Sequence, residues 1–316
     1  MNKKHFYAAV ILLLFLTVGT KTTRAIDIPT DISVGTWDGS TYTLTTNVSE
    51  GLVIVQDDLI LDGAGHTVTA SGGTGVHLFQ RSYVTIKNLN VTGSYYGIYL
   101  HDSSNNTLTD NTFNSNKEYG IQLTGTGSGS RSNILKNNTV SKSNYGISLS
   151  NISIENIIYN NNFIDNTNQV SVSSSPNYFD FEGGGNYWDD YTGLDNGTGE
   201  GRIAGDGIGD TLLPHLGVDW YPFMFENGWL SPELLIEELI VKVGEINGEN
   251  GINNSLDAKL QNALDALTAK NAGQRQDAVN KMQAFINAVE AQRDNKIPGG
   301  IADDLIADAN YIISLL

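Results

Sequence analysis

Gly75-Val76-His77-Leu78, Gly97-Ile98-Tyr99-Leu100, Gly120-Ile121-Gln122-Leu123 and Gly146-Ile147-Ser148-Leu149 are four copies of one phrase. The glycines lie 22, 23 and 26 residues apart. A second phrase keeps step: Asn106-Thr107-Leu108 to Asn111-Thr112-Phe113, Asn133-Ile134-Leu135 to Asn138-Thr139-Val140, and Asn156-Ile157-Ile158 to Asn161-Asn162-Phe163. Val84-Thr85-Ile86 to Val91 fits the same frame, with Leu89 in place of asparagine. A period of this size marks a solenoid. Within each copy apolar and polar residues alternate, which is the strand period of two. Three short strands per unit, separated by Gly, Asn, Ser and Asp turns, predict a parallel β-helix. Its coils stack at roughly 4.8 Å. One coil cannot bury its own apolar face, so neighbouring coils must supply the core.

The reading therefore places about six coils over residues 41–190, with Ile98, Ile121 and Ile147 in one interior row. His77, Tyr99, Gln122 and Ser148 alternate with that row and face outward. Asn111, Asn138 and Asn161 recur at one position. Asparagine tolerates a left-handed turn, and stacked amides can hydrogen-bond along the axis.

Leu59-Ile60-Leu61-Asp62-Gly63-Ala64-Gly65-His66-Thr67-Val68, followed by these repeats, resembles the opening of right-handed parallel β-helix proteins. Gly185-Asn186-Tyr187-Trp188-Asp189-Asp190-Tyr191, Gly205-Asp206-Gly207-Ile208-Gly209-Asp210-Thr211 and Asp219-Trp220-Tyr221-Pro222-Phe223-Met224 resemble the C-terminal end of NosD-like β-helix domains. The resemblance covers residues 51 to about 225. It implies a right-handed parallel β-helix closed by a capping loop, over residues 26–229 of the chain.

After Trp229 glycine and asparagine give way to alanine, leucine and charge. Ser231-Pro232-Glu233 reads as the start of a helix. Leu235, Ile236, Leu239, Ile240 and Val243 follow at helical spacing. A turn over 247–251 leads to a second helix capped by Ser255, with Leu256, Leu260, Leu264 and Leu267 on one stripe. A third runs from about Gln274 to Asp294, and a fourth carries Ile301, Leu305, Ile306, Ala309 and Ile312. Four amphipathic helices on short connections predict a small bundle. Phe285-Ile286-Asn287-Ala288-Val289-Glu290-Ala291-Gln292, then Lys296-Ile297-Pro298, resembles the FIMAH module of secreted and surface proteins over residues 230–316. Asn287 and Val289 depart from that module's methionine and histidine. The resemblance implies an accessory module.

Lys3 and Lys4 precede an apolar run from Ala8 to Val18, and Thr23 and Ala25 suit a cleavage site. Residues 1–25 read as a secretory signal peptide, which makes the protein secreted, periplasmic or cell-surface, without a membrane span after cleavage. The mature chain would hold 14 basic and 35 acidic residues, a formal charge of −21. That argues against nucleic acid and anionic lipid as partners. Cysteine is absent, so no disulfide supports the fold. The sequons at Asn47, Asn90, Asn105, Asn137, Asn151, Asn196 and Asn253 could be glycosylated in an exported chain, or arise from the composition of an asparagine-rich repeat.

Asp189, Asp190, Asp195, Asp206, Asp210 and Asp219 fall within 31 residues, among glycines. Asp195, Asp206 and Asp210 are the candidate metal ligands, and a hard cation such as Ca²⁺ suits such a set. The competing reading is a capping loop whose aspartates make turns. Copper is disfavoured: it wants sulfur or imidazole, and the histidines show no ligand spacing.

No catalytic residue is assigned. The ionisable residues on the coils are sparse, and no two copies place acids at one repeat position. Tyr96, Tyr119 and Tyr145 each precede a repeat glycine. They form the candidate carbohydrate-binding row, since aromatic rings pack on sugars while amides bond hydroxyls. They could instead support the corner of each coil. The sequence thus points to an exported, non-catalytic β-helix with an extracellular binding or scaffold role and polysaccharide as the favoured ligand. The alternative is a secreted polysaccharide lyase or glycoside hydrolase.

Overall fold

The computed structural model describes residues 25–246, 250–268 and 274–316. The expected signal peptide lies outside them except for Ala25. The chain is a parallel β-solenoid of about seven turns followed by four helices. Its contacts gather into two compact units. One holds residues 25–133, 140–154 and 166–175, the other residues 134–139, 155–165 and 176–316.

In the first unit one sheet runs Ile26–Ile28, Leu52–Ile54, Thr74–Phe79, Tyr96–His101, Tyr119–Thr124, Tyr145–Leu149 and Asn168–Val172, each strand parallel to the next. Seven strands stack where the repeat phrase counted fewer. Ile26 and Ile28 sit opposite Leu52 and Ile54 in the same inward rows. The first strand lacks the glycine phrase, so the repeat alone does not find it, whereas Gly51-Leu52-Val53-Ile54 is a further copy in register with Gly75-Val76-His77-Leu78. Ile98 pairs with Ile121 and Ile121 with Ile147, all fully buried as expected. Leu78, Leu100, Leu123 and Leu149 make a second buried row.

The repeat glycine has a steric cause. A Cβ on Gly75 would run into the carbonyl oxygen of Gly97, one on Gly97 into that of Gly120, and one on Gly120 into that of Gly146. Successive coils approach there by bare backbone. The asparagines hydrogen-bond along the stack as expected, but the left-handed positions are the residues before them, Asp110, Asn137 and Asn160. The Leu89 amide donates to Asn111 Oδ1 at 3.1 Å and the Asn106 amide to Asn133 Oδ1 at 3.0 Å.

The second unit carries the parallel pairs Ile134–Lys136 with Ile157–Tyr159 and Asn162–Ile164 with Tyr187–Trp188. Its asparagine ladder is continuous: Asn138 Nδ2 donates to Asn161 Oδ1 and Asn161 Nδ2 to Asn186 Oδ1, both at 2.9 Å. Phe163 stacks on Trp188 at 4.4 Å between centroids.

The helices are α1 (Pro232–Gly244), α2 (Asn250–Thr268), α3 (Gln274–Glu290) and α4 (Gly299–Leu315). They share a core that includes Leu239, Leu260, Phe285 and Leu305. Ser231 caps α1, its Oγ accepting from the Leu234 amide at 3.2 Å. Two boundaries differ from expectation. Ser255 lies inside α2, which starts earlier; Asn253 Nδ2 reaches back to the Ile246 carbonyl at 3.0 Å. And α3 stops at Glu290, because Asp294 turns to bond Ile297 and Arg293 pairs with Glu290 and Asp303. Among the described residues no helix is long and apolar enough to cross a membrane.

Candidate functional site

The outer face of the first sheet presents two aligned rows. Tyr96, Tyr119 and Tyr145 are opposite one another, flanked by Thr74 and Asn168. Beside them run Val53, His77, Tyr99, Gln122, Ser148 and Ser171. Strand alternation places His77, Tyr99, Gln122 and Ser148 opposite the buried isoleucines and leucines. The tyrosines, two residues before each isoleucine, reach the same outer side because alternation breaks at the repeat glycine, and Tyr96 there stacks on Tyr99.

The tyrosines stack on each other. Tyr96 and Tyr119 lie 5.4 Å apart with planes 3° from parallel, and Tyr119 and Tyr145 lie 5.2 Å apart at 18°. Tyr96 stacks on Tyr99 at 5.0 Å, and Tyr99 on His77 at 5.2 Å. Ring faces are therefore largely taken by neighbouring rings, unlike the open platform the sequence suggested. A parallel solenoid brings identical side chains to coil spacing, and flat rings at that spacing lie face to face. Ring edges and hydroxyls remain, and all three tyrosines are half-buried. Burial, and then the Glu118 charge, holds the Tyr119 phenol above its ordinary value, so it stays a neutral donor.

Two polar atoms in the second row are enclosed and unpartnered: His77 Nε2 and Gln122 Oε1. An unpaired buried polar atom costs about 1–3 kcal/mol, and native structures keep few. Burial, helped by His101, pushes the His77 imidazole below its usual value and so favours the neutral form.

At the edge of this face Tyr99 Oη lies 3.1 Å from His101 Nδ1, and His101 Nε2 lies 3.5 Å from Asp102 Oδ2. Asp102 is committed elsewhere. Its Oδ1 accepts from the amides of Thr126 and Gly127 at 3.1 Å and of Gly129 at 2.9 Å. Burial pushes its carboxyl up, but those amides outweigh it and hold the group below the ordinary carboxylate range. Asp102 thus anchors the loop that makes one repeat interval longer than the others.

The acidic loop lies in the second unit. Asp195 accepts from the amides of Gly205 and Gly207, Asp206 from Ile208 at 3.0 Å, and Asp210 from Asn196 and Gly197. All three expected metal ligands thus tie down backbone. Among the described residues no group of three or more His, Asp or Glu side chains is placed to hold a metal ion. If these aspartates serve only as turn and capping residues, melting should be the same with calcium as with chelator, because only a ligand that binds the native state stabilises it. Asp210→Asn should lower melting equally in both, by about 1–2 kcal/mol for a charge-assisted bond weakened. A chelator-sensitive melt that this substitution abolishes would restore the calcium reading.

Asp219 plays a part no sequence pattern disclosed. It is fully buried, and Oδ2 accepts from the Asn186 amide and from Trp188 Nε1, both at 2.8 Å. Oδ1 accepts from the Tyr221 amide at 2.9 Å. It occupies the place the next asparagine of the ladder would take. The only signal was its position in the terminal Asp219-Trp220-Tyr221-Pro222 series.

The family model described as periplasmic copper-binding protein (NosD) matches residues 23–193, and the FIMAH domain model matches residues 236–314. None of the curated proteins matches. Copper would need sulfur or imidazole ligands. Met282 is sealed in the helical core, Met224 is a single half-buried thioether, and His66, His77, His101 and His215 join no ligand group among the described residues. The residues present do not fit that metal.

Proposed function

The chain belongs to the NosD family of periplasmic β-helix proteins, and from that premise we infer an exported protein whose solenoid binds polysaccharide along the outer face of its first sheet. One observation carries the reading. Hydroxyl, amide and imidazole groups recur in register on neighbouring coils, beside a half-buried tyrosine stack and two unsatisfied polar atoms. Coils repeat at roughly 4.8 Å, a spacing that suits an extended chain of sugar rings running along the stack. Each ring would meet tyrosine edges and hydroxyls, with half-buried Gln122 within the same face, while Ser148 on that row is buried. Rotamer changes are common when a surface meets its ligand, and such a change would bring the Gln122 oxygen to a sugar hydroxyl. The helical module would accompany this solenoid as an accessory.

A glycan array on the mature protein tests the reading. Tyr119→Phe keeps the stack and removes one hydroxyl, so binding should weaken by about 0.5–1.5 kcal/mol with melting unchanged. Tyr119→Ala should cost about 1–2 kcal/mol of binding, as for one central aromatic anchor. No glycan bound, or binding indifferent to both substitutions, would remove this face from consideration. Release of new reducing ends would shift the reading to a cleaving enzyme.

A further inference from the structure

We propose that this face selects uncharged glycans and rejects uronic-acid or sulfated chains, with Glu118 as the residue that sets the discrimination. The inference rests on the binding reading above and adds the ligand's charge. The five strands Thr74–Phe79, Tyr96–His101, Tyr119–Thr124, Tyr145–Leu149 and Asn168–Val172 contain no lysine or arginine. No fixed positive charge on them could pair with a carboxylate or sulfate. They contain no aspartate or glutamate either, so neutral groups make up the rows.

The unsatisfied atoms point the same way. Gln122 Oε1 is an acceptor that needs a donor. A sugar hydroxyl can supply that donor; a carboxylate or sulfate at the same position cannot, although the remaining hydroxyls of a charged chain can. Two imidazoles lie nearby: burial of His77 against Tyr99 favours its neutral form, and His101, at the edge of the face, is already turned to the Asp102 carboxylate at 3.5 Å.

Glu118 immediately precedes the central tyrosine. Its Oε1 accepts from Asn144 Nδ2 at 3.2 Å, which fixes the carboxylate beside the row. Its charge is felt at Tyr96 as well as Tyr119. An anionic chain lying on the tyrosines would meet this charge at short range. Like charges at an interface are a device for rejecting wrong partners.

The experiment uses the mature protein and matched hexamers of glucose, mannose and galactose, each neutral or oxidised to the uronate at C6. Affinities are measured at low and high salt for the parent, Glu118→Gln and Glu118→Lys, with melting recorded for each. A neutral hexamer should bind, and its uronate partner at least about tenfold more weakly at low salt, the gap narrowing as salt screens the charge. Glu118→Gln should reduce the gap and Glu118→Lys close or reverse it. A uronate bound as tightly as its neutral partner by the parent overturns the charge inference and leaves the binding face standing. So does a gap unmoved by Glu118→Gln in a protein that melts normally. Failure of every hexamer to bind overturns the binding reading itself, and this inference with it.

Discussion

Replacing Ile121 by aspartate should abolish cooperative folding of the solenoid. Ile121 lies between Ile98 and Ile147 in register and is essentially inaccessible to solvent. A carboxylate there has no partner on either neighbouring coil. An unpaired buried charge costs several kcal/mol, and taking up a proton still leaves a buried polar group unsatisfied. The lost isoleucine contacts add about 2–5 kcal/mol by analogy with truncation to alanine. Together these rival the whole stability of a typical domain, about 5–15 kcal/mol. The effect should propagate, because each coil is supported only by its neighbours. Ile121→Val, which removes one methylene, should cost only about 0.5–1.5 kcal/mol. Circular dichroism melts of the two variants check this. A soluble aspartate variant that melts cooperatively at the parent temperature would show that the row is not interior.

Asp219 should make stability fall as pH rises from about 4 to about 6. Burial raises its carboxyl from the usual 3.8 to about 6, even though Trp188, Tyr221 and Asn186 all donate to it and pull the other way. The folded state therefore holds a proton more tightly than the unfolded chain does. Stability from this group is fully present below the unfolded value and is lost as pH climbs through the folded one. A shift of this size corresponds to about 3 kcal/mol by linkage. Asp62 and Asp102 act in the opposite sense. Burial pushes each up, hydrogen bonds outweigh it, and their contribution disappears as pH falls below the ordinary carboxylate range. The difference between parent and Asp219→Asn isolates the first effect, since asparagine keeps an acceptor but does not titrate. That difference should vary between pH 4 and 6 and be flat above. Asp219→Ala should be worse at every pH, because it strands three N–H donors, two of them in buried bonds that cost about 1–3 kcal/mol each to lose. Denaturant melts across pH 3.5–7.5 decide it. Parallel curves for the parent and Asp219→Asn would mean that the carboxyl titrates normally.

The β-helix was legible because its signals are short-range and repeated. Gly97 and Gly120 recur at a period that marks a solenoid, and Ile98-Tyr99-Leu100 alternates as a strand. The structure then supplies the reason that a carbonyl of the next coil occupies the space of a side chain. Ser231 announced α1 through a bond spanning only three residues. Ser255 misled because a residue with capping chemistry is also tolerated inside a helix, and the true start depended on Asn253 reaching seven residues back.

The site was less legible, for the opposite reason. Tyr96, Tyr119 and Tyr145 could be placed in one row from sequence, but not the planes of their rings, which depend on what the coils above and below present. The carboxylates of Asp195 and Asp210 are spent on amides ten or more residues away in the chain. Asp219 closes a ladder on Asn186, 33 residues distant.

By itself, then, the sequence determined the stacked coils, the inward apolar rows, the asparagine positions and the helical character of the C-terminal part. Each follows from periodicity and local backbone preference, which act over a few residues. Tertiary structure alone decided which aspartates are spent, which polar atoms are left over and which ring surfaces stay open. Those depend on neighbours close in space but 10–33 residues away in the chain, where hydrogen-bond geometry and burial, not residue type, set the outcome.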